Sequence, residues 1–121
     1  MTDNNKDTRV FYNPRCSKCR LTLQLLNDQG IEPEVIEYLN ETPDFETLVG
    51  ILDMLGMEPR DLMRAHETVY TELDLGRDEL GRDELIQAMI ENPILIERPI
   101  VVRDGKAAIG RPPEKILEIL T

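Results

Sequence analysis

The sequence predicts an α/β domain in which helices cover a small mixed sheet. Three observations carry this prediction: a strand–helix–strand succession opens the chain, apolar residues at helical spacing occupy its middle, and two short strands around Asp104-Gly105 precede a last helix. The 121 residues suffice for one such domain, and a hydrophobic share of 40% can fill its core without disulfides or a metal.

The opening unit is predicted to be a parallel βαβ unit. Its first strand, residues 9–12, is ended by Pro14. Leucines then recur at helical spacing from Ser17 until Gly30, and a second strand follows at residues 34–39. A connection of this length between two strands implies parallel pairing with a right-handed crossover.

The rest of the chain is predicted to add helices and an antiparallel hairpin. The first of these helices is expected to begin at Thr42-Pro43, with Pro43 at the first helical position. Asp104-Gly105 is a strong hairpin signal, and a last helix is expected to open at Pro112. The predicted helices are residues 43–55, 59–66 and 84–91, and the hairpin strands are residues 100–102 and 106–109. This order is typical of a thioredoxin-like fold with a four-stranded mixed sheet and a helical insertion after the second strand.

Composition and charge limit the classes of function. Residues 1–8 are predicted to be a disordered lead-in and residues 9–121 one thioredoxin-like domain. Fourteen basic against 24 acidic residues give a net charge of −10, which disfavours nucleic acids and anionic membranes as partners. The apolar runs are far shorter than the ~20 residues of a membrane-spanning helix. With no secretory signal in the sequence, a cytoplasmic location is expected.

The two cysteines are the first functional clue. Cys16 follows the first predicted strand at the start of a helix, where unpaired N–H groups and the helix dipole stabilise a thiolate. Cys16 is therefore the predicted nucleophile, and Cys19, one turn along the same helix, is the candidate resolving thiol. Two unreactive cysteines are the alternative. No metal is expected, since a structural zinc needs four ligands and only the distant His66, to which no role is assigned, could assist.

Three arginines are candidate ligands of an anion. Arg64, Arg98 and Arg111 stand at the boundaries of apolar segments, Arg98 before a buried strand and Arg111 after the hairpin. Strand ends of a sheet converge near the loop that carries Cys16, and guanidinium groups bind tetrahedral oxyanions with two hydrogen bonds each. The sequence therefore predicts a small-oxyanion site beside Cys16, with surface solvation as the alternative role of the arginines.

An ordered set of motifs runs through the chain and is more specific than the cysteine pair alone. The motifs are, in order, Asn13-Pro14-Arg15-Cys16, Arg20, Arg64, Asn92-Pro93, Glu97-Arg98-Pro99-Ile100-Val101-Val102 and Gly110-Arg111-Pro112. With these motifs the chain resembles the glutaredoxin-coupled arsenate reductase (ArsC) family, and within it the YfgD-like branch. The resemblance extends from about Arg9 to Leu120 and implies a thioredoxin-like fold with a cis peptide bond before Pro99, ahead of the third strand.

The resemblance also implies an activity. In the family, the cysteine that matches Cys16 attacks arsenate, while the arginines that match Arg64, Arg98 and Arg111 hold the oxyanion. No cofactor is bound. Glutathione acts as co-substrate by attacking the arsenate adduct, and glutaredoxin reduces the mixed disulfide that results.

Two residues depart from the family pattern, and a related family offers an alternative. Tyr12 stands where well-studied members have His, which removes one stabiliser of the thiolate, and Cys19 stands where they have Ser. A Cys16–Cys19 disulfide, reduced by thioredoxin or glutaredoxin, could therefore replace glutathione. The cysteine pair also resembles that of the Spx transcriptional regulators, which bind RNA polymerase. The other alternative is a dithiol oxidoreductase without oxyanion specificity.

Overall fold

The computed structural model describes residues 8–120, so the predicted lead-in lies outside the described residues except for Thr8. The strands and helices are, in chain order, β1 (Thr8–Tyr12), α1 (Ser17–Asp28), β2 (Glu34–Glu37), α2 (Phe45–Leu55), α3 (Pro59–Leu62), α4 (Thr68–Glu72), α5 (Arg82–Glu91), a 3₁₀ turn (Pro93–Leu95), β3 (Ile100–Arg103), β4 (Lys106–Ile109) and a C-terminal 3₁₀ helix (Pro113–Ile119). Two compact units contain them. The sheet unit comprises the residues up to Glu41 and those from Arg98 onward, and the helical unit is Thr42–Glu97.

The sheet unit contains a mixed four-stranded sheet of order β2-β1-β3-β4. β1 pairs in parallel with β2 and antiparallel with β3, which pairs antiparallel with β4. At the hairpin turn, Asp104 and Gly105 have φ angles of 54° and 77°, the left-handed conformation that a two-residue turn of type I′ requires. The predicted thioredoxin-like sheet is confirmed. Thr8 corrects the predicted boundary: it is buried and pairs with Arg103 as the first residue of β1.

The core of the sheet unit lies between the sheet and its helices. Alternate strand residues point to this face, because side chains of a strand alternate between the two sides of a sheet. They meet the apolar stripe of α1 and the C-terminal 3₁₀ helix. The buried members of this core are Val10, Leu26, Ile31, Val101, Ala108, Ile116 and Ile119. Their packing anchors α1, the helix that Cys16 precedes, to β1, β3 and β4.

The helical unit is the predicted insertion between the second and third strands. α2 begins later than expected, because Asp44 rather than Thr42 caps it by accepting a hydrogen bond from the Thr47 N–H at 2.8 Å. α2 and α3 both pack on α5. Within residues 8–120, no helix has the length and apolar character that crossing a bilayer requires.

Three short elements differ from the predictions. The helix expected over residues 59–66 ends at Leu62, because Met63 is extended and forms an isolated antiparallel bridge with Ile96. α4 was not predicted, since it buries none of its residues and so has no apolar stripe. The last helix is a 3₁₀ helix over Pro113–Ile119 rather than an α-helix.

Candidate active site

A tight turn places Cys16 at the start of α1. The backbone of Cys16 is extended (φ −94°, ψ 120°), as is usual for the residue that precedes a helix. Its N–H donates to the Asn13 carbonyl at 2.9 Å, and Asn13 Oδ1 accepts from the Arg15 N–H at 3.0 Å. Arg20 Nη1 donates to the Pro14 carbonyl at 2.8 Å. These three bonds hold the turn in place, so the direction of the Cys16 side chain is fixed by its own segment.

Hydrogen-bond donors converge on the Cys16 sulfur. Arg111 Nη2 lies 3.6 Å from Cys16 Sγ. Burial by itself raises the pKa of the Cys16 thiol, but hydrogen bonds from the backbone and side chain of Cys19, from the Arg98 side chain and from the Lys18 N–H outweigh it and lower the pKa. Cys16 is therefore a thiolate more readily than an ordinary cysteine, and thiolates are the reactive form.

Cys19 has the opposite character. It is fully buried, whereas Cys16 keeps 9% of its surface exposed. Burial is the largest cause that raises the pKa of Cys19 to about 12, and the neighbouring Cys16 adds to it, although the Asn13 N–H donates to Cys19 Sγ at 3.5 Å. At neutral pH, Cys19 thus keeps its proton and can share it with the Cys16 sulfur.

Arg98 and Arg111 face each other at the open end of the β3–β4 hairpin, away from the Asp104-Gly105 turn. Ile100 pairs with Ile109, and one residue further out the Gly110 N–H donates to the Pro99 carbonyl at 2.9 Å. Arg98 and Arg111 form the next facing pair beyond Pro99 and Gly110, and Arg111 Nε donates to the Arg98 carbonyl at 2.6 Å. The two arginines therefore reach Cys16 from adjacent strand ends.

Both arginines precede a proline through a cis peptide bond. The Arg98-Pro99 bond is cis, which confirms the expected cis proline before the third strand. The Arg111-Pro112 bond is also cis, and nothing in the sequence analysis predicted it.

Arg64 belongs to the helical unit and is bound there by carboxylates. Its Nε donates to Glu67 at 3.1 Å and its Nη1 to Glu97 at 2.7 Å, while Nη2 lies 3.0 Å from His66 Nε2. The side chain is 11% exposed. Burial acts to lower the pKa of Arg64, but the two carboxylates raise it. The structure thus assembles Cys16 with Arg98 and Arg111, and Arg64 as a third member of that group stays a prediction.

Two residues of the site were named in sequence motifs but given no role of their own. Asn13 contributes both its side chain and its backbone to the cysteine turn, and an Asn before a proline is a typical turn signal that could have indicated this role. No local signal indicates a role for Gly110, because its contacts depend on tertiary packing. Within the described part of the chain, no three His, Cys, Asp or Glu residues are grouped so that they could hold a metal ion.

Fold and site together define a thioredoxin-like domain with one activated cysteine in an arginine-lined turn. The chain belongs to the ArsC family, whose family model matches residues 11–119. It is 53% identical over 116 residues to the protein YfgD of Escherichia coli K12, covering 95% of this chain and 98% of that one. It is 44% identical over 115 residues to a protein of Neisseria meningitidis serogroup A named arsenate reductase, covering 94% and 98%. A solved structure titled arsenate reductase from Vibrio cholerae matches with a TM-score of 0.93 and 51% identity, covering 97% and 100%.

Proposed function

We propose that this protein is a thiol-dependent arsenate reductase in which Cys16 is the nucleophile. The observation that carries the proposal is the convergence of Arg98 and Arg111 on the Cys16 sulfur at the start of α1. Cations that stabilise a thiolate also attract a tetrahedral oxyanion to the same place, which brings nucleophile and electrophile together. Relatives with 44% identity over nearly the whole chain bear the name arsenate reductase, which supports the choice of oxyanion.

In the first step, the Cys16 thiolate attacks arsenic(V). A sulfur–arsenic bond forms while one hydroxyl group of the arsenate takes up a proton and leaves as water, and arsenic keeps its oxidation state. The negative charge on the remaining oxygens is neutralised by Arg98 and Arg111, each of which offers a fork of N–H donors. Arg64 is the third arginine that the family resemblance assigns to the oxyanion.

In the second step, a thiol reduces the adduct. The thiolate of glutathione attacks Cys16 Sγ, the electron pair of the sulfur–arsenic bond stays with arsenic, and arsenite leaves as arsenic(III). The remaining disulfide between Cys16 and glutathione is then reduced by thiol–disulfide exchange with glutaredoxin. The electrons come from thiols throughout, so the reaction needs no bound cofactor.

Cys19 offers a second route to reduction. Its thiolate would attack Cys16 Sγ, the electron pair of the sulfur–arsenic bond would leave with arsenic as arsenite, and the resulting internal disulfide would be reduced by thioredoxin or glutaredoxin. Formation of the adduct removes the negative charge from Cys16 and with it one cause of the raised pKa of Cys19. Burial, the largest cause, persists, so Cys19 must still lose a proton from a poorly solvated site. We therefore expect the glutathione route to be faster.

The test is arsenate-dependent thiol oxidation with two reductants, glutathione plus glutaredoxin and thioredoxin. Cys16→Ser is expected to reduce turnover to background with both reductants, because a hydroxyl is not ionised at neutral pH. Cys19→Ser is expected to spare turnover with glutathione and to abolish turnover with thioredoxin. Equal rates of wild type and Cys19→Ser with thioredoxin would reject Cys19 as a resolving thiol.

Two other outcomes decide against an arsenate reductase. Reduction of insulin disulfides without any stimulation by arsenate would indicate a general dithiol oxidoreductase. Absence of turnover with every reductant, together with tight binding to RNA polymerase, would indicate a regulator of the Spx type. Arsenate turnover that survives in Cys16→Ser would refute Cys16 as the nucleophile.

A further inference from the structure

The end of the β3–β4 hairpin packs directly against α1 through Gly110. A methyl group on the Gly110 Cα would lie 2.8 Å from Pro99 Cγ and closer still to Thr22 Oγ1. Both contacts are too short for a packed interior, so a larger residue would displace its neighbours. The φ angle of Gly110 lies outside the left-handed region, so space and not backbone conformation restricts this position to glycine.

This contact joins the two segments that carry the site. Thr22 lies in α1, the helix that Cys16 precedes, and it is fully buried. Gly110 and Pro99 are the direct neighbours of Arg111 and Arg98. The packing of Gly110 on Thr22 therefore lies between the segments of the two arginines and the helix that Cys16 precedes.

Hydrogen bonds join the two strand ends that carry Arg98 and Arg111. The Gly110 N–H donates to the Pro99 carbonyl at 2.9 Å, and Arg111 Nε donates to the Arg98 carbonyl at 2.6 Å. A displacement of Gly110 away from α1 would therefore move both arginines with it. Arg111 Nη2 is 3.6 Å from Cys16 Sγ, close to the limit for a sulfur acceptor, so a small displacement would break this contact.

We propose that Gly110, packed against Thr22 and Pro99, is a positioning residue that sets the distance of Arg98 and Arg111 from Cys16 and thereby the affinity for a tetrahedral oxyanion. That this oxyanion is arsenate rests on the proposed function. The positioning role of Gly110 requires only that an anion binds beside the Cys16 thiolate.

Thr22 makes the proposal testable by rescue. Its Oγ1 is buried and has no hydrogen-bond partner within residues 8–120, so Thr22→Ala breaks no hydrogen bond there. The same substitution removes the atom that would collide most closely with a side chain at position 110. The Pro99 contact remains, so the rescue of a Gly110 variant should be partial.

The experiment measures alkylation of Cys16 by iodoacetamide across pH, and protection of Cys16 from alkylation by inorganic phosphate. Gly110→Ala is expected to weaken phosphate protection about tenfold, the effect of losing a hydrogen bond to a charged group, and to move the alkylation profile to higher pH. Gly50→Ala is the matched control, because a methyl group there meets no atom within 4 Å. It should leave both measurements unchanged.

Two further variants separate positioning from folding. Gly110→Ala combined with Thr22→Ala should recover part of the lost protection. If Gly110→Ala does not fold, Thr22→Val serves instead, since its methyl group needs more room than the hydroxyl it replaces. Thr22→Val should lower phosphate affinity and raise the alkylation pH without lowering the melting temperature, a combination that a merely structural role would not produce.

The proposal is overturned if Gly110→Ala, or Thr22→Val in its place, alters only the melting temperature and leaves phosphate protection and the alkylation profile as in the wild type. It is also overturned if phosphate does not protect wild-type Cys16, because no anion would then be positioned. If phosphate protects Cys16 but the protein does not turn over arsenate, the proposed reductase function is refuted. The positioning role of Gly110 is still tested by the phosphate measurements in that case.

Discussion

Arginines serve different purposes in the two units. In the helical unit, Arg64 donates to the carboxylates of Glu67 and Glu97, which balance its charge. In the sheet unit, Arg111 donates to the Arg98 carbonyl and to the Cys16 sulfur. The same residue type thus acts as part of an ion-pair cluster in one unit and as part of a site for negative charge in the other.

The difference lies in what stands opposite each guanidinium group. Arg98 and Arg111 occupy facing positions at the hairpin end, beside the Cys16 sulfur. A hydrogen bond from the Arg98 side chain lowers the pKa of Cys16, and Arg111 Nη2 lies 3.6 Å from Cys16 Sγ. In the Arg64 cluster, the guanidinium group instead donates to the carboxylates of Glu67 and Glu97. The three predicted site arginines are therefore not equivalent, and three experiments can break or sharpen the distinction.

The largest effect is expected from Arg98→Lys. Lysine keeps the positive charge but loses the planar fork, so we expect protection of Cys16 by phosphate or sulfate to weaken about tenfold. Arg64→Lys is the comparison variant and should weaken protection less, because two carboxylates engage the guanidinium group. Equal weakening by both variants would make Arg64 an equal ligand of the anion. No weakening by Arg98→Lys would contradict the assignment of Arg98.

A second effect, on stability and not on anion binding, is expected from Arg64→Gln. This change leaves Glu67 and Glu97 without their shared cation, and both carboxylates are only 24% exposed. We expect the free energy of unfolding to fall by about 1–2 kcal/mol in urea denaturation, between the values for exposed and buried ion pairs. Arg82→Gln is a suitable control, since its ion pairs with Asp53 and Glu58 are exposed and should contribute little. A loss no greater than that of the control would argue against a stabilising role for Arg64.

The third effect is confined to alkaline pH, and it should come from the sheet unit. The folded chain holds the Cys19 proton up to a pKa of about 12, whereas an unfolded cysteine loses it near 8.5. The protonated Cys19 thiol therefore makes its full contribution to the free energy of unfolding below pH 8.5, and this contribution is lost as the pH rises toward 12. The lowered pKa of Cys16 acts in the opposite direction, and its stabilisation is already complete above pH 8.5.

Melting temperatures between pH 8.5 and 10.5 check this expectation. The wild type should lose on the order of 10 °C more than Cys19→Ser over this interval, because two pH units above the unfolded pKa correspond to about 2 kcal/mol. Arg64→Gln should keep the wild-type slope, since it leaves Cys19 untouched. Parallel slopes for wild type and Cys19→Ser would contradict the raised pKa.

Local sequence signals predicted most of the fold. Asp104-Gly105 specified the hairpin turn by backbone conformation alone, and the apolar periodicity of α1 and α2 located both helices within a few residues. The errors concern segments whose conformation depends on remote partners. Met63 left the expected helix because it pairs with Ile96, and no local pattern encodes a bridge between residues so far apart in the sequence.

The features of the site likewise fall into those that local sequence predicts and those that depend on remote partners. A cysteine after a strand and at the start of a helix was visible in the sequence, and so was its tendency to ionise, because the helix N-terminus is a local feature. The carboxylate partners of Arg64 were not, since Glu97 lies 33 residues further along the chain.

By itself, then, the sequence determined the βαβ opening, the hairpin, the helical insertion and the place of Cys16 at a helix start, because each depends on neighbours within one or two turns of the chain. Only the tertiary structure decided which arginines meet the sulfur, which one is held by carboxylates, and which thiol keeps its proton. Those properties follow from hairpin register, burial and the close approach of Gly110 to α1, and each of these joins residues that are remote in sequence.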